Sequence, residues 1–177
     1  MKINRVFFRY LAFALEIILL WVLQSTPKLF PEWFGEKPFF LLAAALAFAA
    51  CEDIVPALIL GAVCGAFADL SAAGGIGFFA AAFTLVCYCE ASLLETYLTR
   101  NIFTFFIIAA TASFSVLGLY FILFRLTAGI PDSGVLFVRH YLIRMGLTVF
   151  AALPLYFFNR FLRKSLRSPG EGKIGIY

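Results

Sequence analysis

The sequence predicts an all-α membrane protein, with six transmembrane helices in one domain over 1–164 and a short polar cytoplasmic tail over 165–177. Hydrophobic residues make up 63% of the chain, whereas roughly half of the residues in a soluble domain are apolar. Only 14% of the residues are charged, so most of the chain can lie in hydrocarbon. The apolar residues also form successive runs that are separated by Gly, Pro and charged residues.

The first two runs differ in length. The first predicts a helix over about 5–24, with the carboxyl group of Glu16 near the bilayer midplane, where it must face protein or be protonated. Either it is a neutral side chain bonded to a neighbouring helix or it has a direct functional role. A loop rich in Pro and Gly follows over 25–37. The second run, 38–51, is shorter than the about 20 residues of a full span. It therefore predicts either a locally thin bilayer or a partly re-entrant path.

Polar turns and glycines predict where the remaining helices begin and end. Glu52–Asp53 predicts a tight polar turn, and Pro56 then suits the first turn of the third helix, where its missing N–H is harmless. Gly74, Gly75 and Gly77 are expected to end this helix and turn the chain back. The predicted bounds of the third to sixth helices are about 56–69, 78–98, 102–126 and 136–162.

One face of the third helix combines small residues with a carboxylate. Gly61, Gly65 and Asp69 are spaced four residues apart and therefore share a face. Small residues at this spacing let two helices approach closely in a bilayer, so the face is either a docking surface for a neighbour or a packing seam. Asp69 is the functional candidate, because a carboxylate next to hydrocarbon needs a partner or the polar boundary layer.

The basic residues predict the orientation. Nine of the 14 Lys and Arg residues lie on one side of a six-helix topology, which places both termini in the cytoplasm. The net charge of +4 is concentrated near the termini and predicts contact with the lipid bilayer, not with nucleic acid. The inner residues are Lys2, Arg5, Arg9, Arg100, Arg160, Arg163, Lys164, Arg167 and Lys173.

Three arginines are predicted at the same outer end as Asp69. Arg125 closes the fifth helix, while Arg139 and Arg144 lie near the start of the sixth. We expect Asp69 to pair with one of these arginines and so to fix the end of the third helix. The alternative is an unpaired Asp69 in the headgroup layer.

The sequence contains no recognisable catalytic constellation. His140 is the only histidine, and Glu90 and Glu95 do not share a helix face, so no metal site and no acid–base pair is predicted. An intramembrane enzyme would have to use Glu16 with Glu90. We expect no enzyme activity and no cofactor. The four cysteines are expected to be buried, reduced thiols: Cys51, Cys64, Cys87 and Cys89.

The stretch from 56 to 88 resembles the bacterial rod shape-determining protein MreD family. The matching positions are Gly61, Gly65, Asp69-Leu70, Gly77 and the following helix with Tyr88. The resemblance implies a non-enzymatic component of the cell-elongation machinery in the bacterial cytoplasmic membrane. It implies a single-span partner like MreC and, through it, contact with MreB, RodA and the elongation-specific penicillin-binding protein. It also implies a fold like the six-helix substrate-binding subunit of energy-coupling-factor vitamin transporters.

A second function remains open at this point. A transporter subunit that captures a small, vitamin-like molecule would need a polar pocket between helices, and Asp69, Arg139 and Arg144 could line one.

Overall fold

The computed structural model of the protein describes residues 2–26, 36–71, 77–97, 100–126 and 137–166, and these contain helices and no strand. They include two short π-helical segments, Ile122–Leu126 and Phe137–Leu142. Residues 27–35 of the predicted loop over 25–37, Gly74, Gly75 and the tail beyond 166 lie outside the described ranges. The helices are α1 (Lys2–Ser25), α2 (Phe40–Cys51), α3 (Ile54–Ser71), α4 (Phe78–Thr96), α5 (Ile102–Phe121) and α6 (Ile143–Ser165).

Five of the helices are long and apolar enough to cross a membrane. This agrees with the predicted all-helical class and is consistent with a multi-pass membrane protein. The α6 helix is continuous through Pro154, so the proline is absorbed without ending the helix. The five candidate spans are Val6–Ser25, Ile54–Ser71, Phe78–Thr96, Ile102–Phe124 and Arg139–Ser165.

The sixth apolar helix, α2, differs from the prediction. Its 12 residues are all buried, and it contacts each of the five other helices. A helix of this length extends about 18 Å, well short of the hydrocarbon thickness. Because α2 is enclosed by protein, it needs neither the thin bilayer nor the re-entrant path that its length suggested. A helix that is apolar on all sides is the kind that fills the centre of a bundle.

The N-terminal end of α2 is satisfied by side chains from other helices. The N–H of Phe39 donates to Oγ1 of Thr148 at 2.9 Å, and the N–H of Leu41 donates to Oε1 of Gln24 at 3.1 Å. The first amides of a helix lack partners within the helix, and leaving them unpaired inside a protein is costly. Thr148 on α6 and Gln24 on α1 therefore fix where α2 begins.

Arg100 satisfies the opposite end of α2. Its guanidinium donates to the carbonyl oxygens of Ala50 and Cys51 at 3.2 Å and to that of Glu52 at 3.3 Å. Burial lowers the pKa of Arg100 from its ordinary value, but an arginine remains charged at neutral pH. A cation is favourable there, because the carbonyl end of a helix carries partial negative charge.

Replacing Arg100 by leucine is expected to lower the free energy of unfolding by about 1–2 kcal/mol, since the last carbonyls of α2 lose their donors. Arg100→Lys should recover only part of this loss, because an ammonium group cannot form the same fork of hydrogen bonds. The measurement is unfolding of purified protein in mixed micelles. Lys164→Leu, at an exposed position on α6, is the control and should change little. Equal losses for Arg100→Leu and Lys164→Leu would contradict this role.

The predicted polar turn at Glu52–Asp53 is confirmed. Its two side chains contact residues near the two ends of the chain. Oε2 of Glu52 lies 3.5 Å from Nη2 of Arg9 near the start of α1, and both side chains are buried. Oδ1 of Asp53 accepts a hydrogen bond from Nη2 of Arg163 at 3.1 Å, near the end of α6. We call this side of the bundle the terminal end and the opposite side the Asp69 end.

One further polar contact joins α1 to α6 between these ends. Nδ2 of Asn159 donates to Oε1 of Glu16 at 3.3 Å, and both side chains are buried. The expectation that Glu16 bonds to a neighbouring helix is confirmed.

Candidate functional site: the α3–α4 joint and the adjoining cavity

The glycine face of α3 packs directly against α4. A Cβ atom added to Gly61 would lie 2.8 Å from Sγ of Cys87 and 3.2 Å from the carbonyl oxygen of Phe83. A Cβ atom added to Gly65 would lie 2.5 Å from Cα of Ala80 and would also meet the carbonyl oxygen of Phe79. Both glycines are buried. The two helix backbones therefore approach more closely than any larger residue would allow.

This packing corrects one prediction. One of the two interpretations was a docking surface for a neighbouring protein, but α4 of the same chain already occupies this face. The alternative interpretation, a packing seam, describes Gly61 and Gly65 correctly. Small residues permit close approach, and that property does not distinguish a helix of the same chain from a helix of a partner.

Asp69 completes the same joint by capping α4. Its Oδ1 accepts a hydrogen bond from the N–H of Phe79 at 2.9 Å, and its Oδ2 accepts one from the N–H of Ala80 at 3.0 Å. Gly77 occupies the N-cap position of α4 and has no side chain with which to bond these amides. A carboxylate at a helix N-terminus also interacts favourably with the helix dipole. Asp69 thus acts as an N-cap supplied by the preceding helix.

Gly77 turns the chain into α4. Its φ angle is +93°, in the left-handed region that residues with a side chain rarely adopt. The prediction that a glycine at this position turns the chain back is confirmed for Gly77.

Among the described side chains, the expected ion pair of Asp69 with Arg139 or Arg144 is absent. Both carboxylate oxygens of Asp69 accept hydrogen bonds from the backbone of α4, and neither Arg139 nor Arg144 forms an ion pair with it. Arg139 is exposed, and the guanidinium of Arg144 lies over the ring of Phe39, 5.0 Å from its centroid. The side chain of Arg125 is outside the part of the chain that the structure describes.

Polar contacts at two places at the Asp69 end were not predicted. Nδ1 of His140 lies 2.7 Å from Oε1 of Glu36, which joins the start of the last helical segment to the chain before α2. Nε1 of Trp21 donates to Oγ of Ser71 at 2.8 Å, and Ser25 bonds to the same hydroxyl at 3.1 Å. Sequence spacing gave no signal for either contact, because both join positions far apart in the chain.

A cavity of about 160 Å³ lies at the Asp69 end of the bundle. Each of the six helices contributes to its wall, either directly or through the residues just before the helix. Nε of Arg144 is buried and has no hydrogen-bond partner among the described residues. Of the residues expected to line a pocket, Arg144 alone does so, since Asp69 and Arg139 are not in its wall. The lining residues are Gln24, Phe39, Ala68, Ser71, Phe79, Leu117, Tyr120, Tyr141 and Arg144.

A second, apolar cavity of about 390 Å³ lies between α1 and α6. We call it the α1–α6 groove. The lining residues are Leu20, Pro38, Phe40, Leu147, Phe150, Ala151, Pro154 and Leu155.

The cysteines follow the prediction with one exception. Cys51, Cys64 and Cys87 are buried free thiols, whereas Cys89 is exposed. Because Cys87 and Cys89 are two residues apart on α4, they lie on different faces, and only Cys87 faces the glycine seam.

Comparison with known proteins found no matching family model, no matching curated protein and no matching solved structure. The relation to the MreD family and to vitamin-transporter subunits is therefore a proposal and is argued as one below.

Proposed function

We propose that this protein is an MreD-like, non-enzymatic component of the bacterial cell-elongation complex that docks a single-span partner resembling MreC. In this proposal it resides in the bacterial cytoplasmic membrane with both termini in the cytoplasm. Contact with MreB, RodA and the elongation-specific penicillin-binding protein is indirect and passes through the partner. The fold is proposed to be that of the energy-coupling-factor substrate-binding subunits.

The polar residues of the bundle support a scaffold role. Asp69 caps α4, Glu52 pairs with Arg9, Asp53 pairs with Arg163, and Glu16 accepts a hydrogen bond from Asn159. Each of these carboxylates is engaged in joining two helical segments. Four of the residues that carry the resemblance to MreD lie at the joint between α3 and α4, namely Gly61, Gly65, Asp69 and Gly77.

The observation that carries the docking proposal is the α1–α6 groove. Since α4 occupies the glycine face, a partner helix must dock elsewhere, and this groove is an apolar recess in the side of the bundle. Ala151 in its wall is small, and Gly146 lies nearby on α6 with open space around its Cα, so a helix backbone could approach closely. The apolar lining of this groove suits the apolar side chains of a single transmembrane helix.

Photocrosslinking tests this assignment directly. A benzophenone amino acid placed at Leu147 or Ala151 is expected to crosslink the co-expressed MreC-like single-span protein, because both positions line the groove. The matched control is Ile107, which is apolar and exposed on α5. The readout is the crosslinked band in membranes, together with rod shape in cells whose own MreD is replaced by each variant.

Two results would argue against the proposal. Crosslinking from Ile107 but not from Leu147 or Ala151 would place the partner on another face of the bundle. A protein that neither captures the single-span partner nor maintains rod shape would remove the assignment to the elongation complex.

The alternative, a vitamin-binding transporter subunit, has less support. Asp69 is committed to α4 and Arg139 is exposed, so the predicted polar cluster is not formed. The cavity beside Arg144 has a volume of about 160 Å³, whereas pockets for drug-sized molecules span roughly 300–1,000 Å³.

A further inference from the structure

The cavity beside Arg144 offers hydrogen-bond donors without matching acceptors. Nε of Arg144 is buried and has no acceptor among the described residues. Oε1 of Gln24 accepts from the N–H of Leu41, and the two amide N–H groups of Gln24 make no hydrogen bond among the described residues. The hydroxyls of Tyr120 and Tyr141, which also line the cavity, make no hydrogen bond within the described part of the chain.

The described acidic groups near this cavity, Asp69 and Glu36, have other hydrogen-bond partners. Asp69 is bonded to the first amides of α4 through both oxygens. Glu36 interacts electrostatically with Arg144 but directs Oε1 to His140, at 2.7 Å. No carboxylate in the described residues forms an ion pair with Arg144. The guanidinium therefore retains its capacity to bind an anion.

The walls define the size and character of that anion. Phe39, Phe79, Leu117 and Ala68 supply apolar surface, and the ring of Phe39 holds the guanidinium in place by a cation–π contact at 5.0 Å. A cavity of about 150 Å³ accommodates a benzene ring, so the volume here, about 160 Å³, suits a similarly small group.

We propose that this cavity is a binding site for a small monoanion, a carboxylate or a phosphodiester with a compact apolar or aromatic body. The anionic group lies against Arg144 with Gln24, Tyr120 and Tyr141 as further donors, and the body lies among the phenylalanines. A free metabolite and the headgroup of an anionic lipid share this chemistry. The site goes beyond the scaffold role, because partner docking in the α1–α6 groove does not require it.

Binding is measured on the full chain in a neutral detergent with 4-fluorobenzoate as the probe. Saturable broadening of the ¹⁹F signal is expected, and 4-fluorobenzamide, which is uncharged, should bind at least tenfold more weakly. Inorganic phosphate and phosphatidylglycerol are then added as competitors, with phosphatidylcholine as the lipid control. Displacement by phosphatidylglycerol alone assigns the site to an anionic lipid, whereas displacement by phosphate, or by neither, assigns it to a free anion.

Arginine variants locate the site. Arg144→Gln is expected to weaken binding of 4-fluorobenzoate by about tenfold or more, because a hydrogen bond to a charged group is lost. Arg144→Lys should retain part of the affinity. Arg139→Gln is the matched control, an exposed arginine five residues earlier in the same helical region, and should bind like the unmodified protein.

A conservative variant keeps the test informative if Arg144→Gln does not fold. Tyr120→Phe combined with Tyr141→Phe removes two hydroxyl donors while keeping both rings, and should weaken binding several-fold. The proposal is overturned if 4-fluorobenzoate, phosphate and phosphatidylglycerol all fail to bind. It is equally overturned if a folded Arg144→Gln variant, or the double tyrosine variant, binds as tightly as Arg139→Gln.

Discussion

Gly65→Ala is expected to lower the free energy of unfolding by about 3 kcal/mol or more, one of the two largest effects that we predict for the bundle. The added Cβ would lie 2.5 Å from Cα and 2.7 Å from N of Ala80, and these backbone atoms cannot rotate away. To accommodate the methyl group, α3 and α4 would have to separate along the whole seam. Separation would also move the amides of α4 away from Asp69.

Gly61→Ala should be milder, at about 1–2 kcal/mol. Its closest contact would be Sγ of Cys87 at 2.8 Å, which is the end of a side chain and can move. Combining Gly61→Ala with Cys87→Ala should recover part of the loss. The measurement is unfolding in mixed micelles of dodecyl sulfate and a neutral detergent, monitored by near-ultraviolet circular dichroism.

Two other glycines provide matched controls. An added Cβ at Gly118 on α5 or at Gly146 on α6 would meet no atom within 4 Å. Alanine at either position should leave stability unchanged or raise it slightly, since alanine favours helix more than glycine does. If Gly65→Ala unfolds at the same dodecyl sulfate fraction as Gly118→Ala, the α3–α4 seam described here is wrong. Because purified protein is used, loss of a partner cannot explain the effect.

The sequence revealed where close approach occurs but not between which helices. The spacing of Gly61 and Gly65 identified a bare helix face, and Gly77 marked the start of α4 correctly. Which helix covers that face depends on the path of the whole chain. The same pattern of small residues permits close contact with a helix of the same chain or with a helix of another protein. For this reason the docking interpretation of the glycine face was wrong and the packing interpretation was right.

The second helix shows a different limit. The short run over 38–51 was interpreted as a segment too short for the bilayer, although its unbroken apolar sequence is also typical of a helix fully enclosed by protein. The residues that form hydrogen bonds with the backbone at its two ends lie on other segments, namely Thr148, Gln24 and Arg100. Their contacts are to backbone atoms, which every residue type carries, so no pattern in the sequence pointed to them.

The pairing of Asp69 with Arg139 or Arg144 was mispredicted for the same reason. Counting charges suggests that a carboxylate near three arginines will bind one of them. The first amides of α4 compete with those arginines, and they are held in place by the helix, whereas an arginine side chain must be ordered before it can pair. The N–H groups of Phe79 and Ala80 lie 2.9 and 3.0 Å from the two carboxylate oxygens of Asp69 and satisfy both at once.

Asp69→Ala is accordingly expected to lower the free energy of unfolding by about 3 kcal/mol, because two hydrogen bonds to a charged acceptor are lost and two amides are left without partners. Asp69→Asn keeps one oxygen acceptor and should lose roughly half as much. The comparison variant is Asp53→Ala, whose carboxylate pairs with Arg163 at an exposed position and should contribute less than about 1 kcal/mol.

Charge reversal separates capping from ion pairing. Asp69→Arg removes the cap and places a cation at the positive end of the α4 dipole, so it should destabilise at least as much as Asp69→Ala. If Asp69 acts through backbone amides, adding Arg139→Asp or Arg144→Asp cannot restore stability, because neither change supplies an acceptor at Phe79 and Ala80. Recovery of stability in either double variant would instead show that an arginine is the true partner of Asp69.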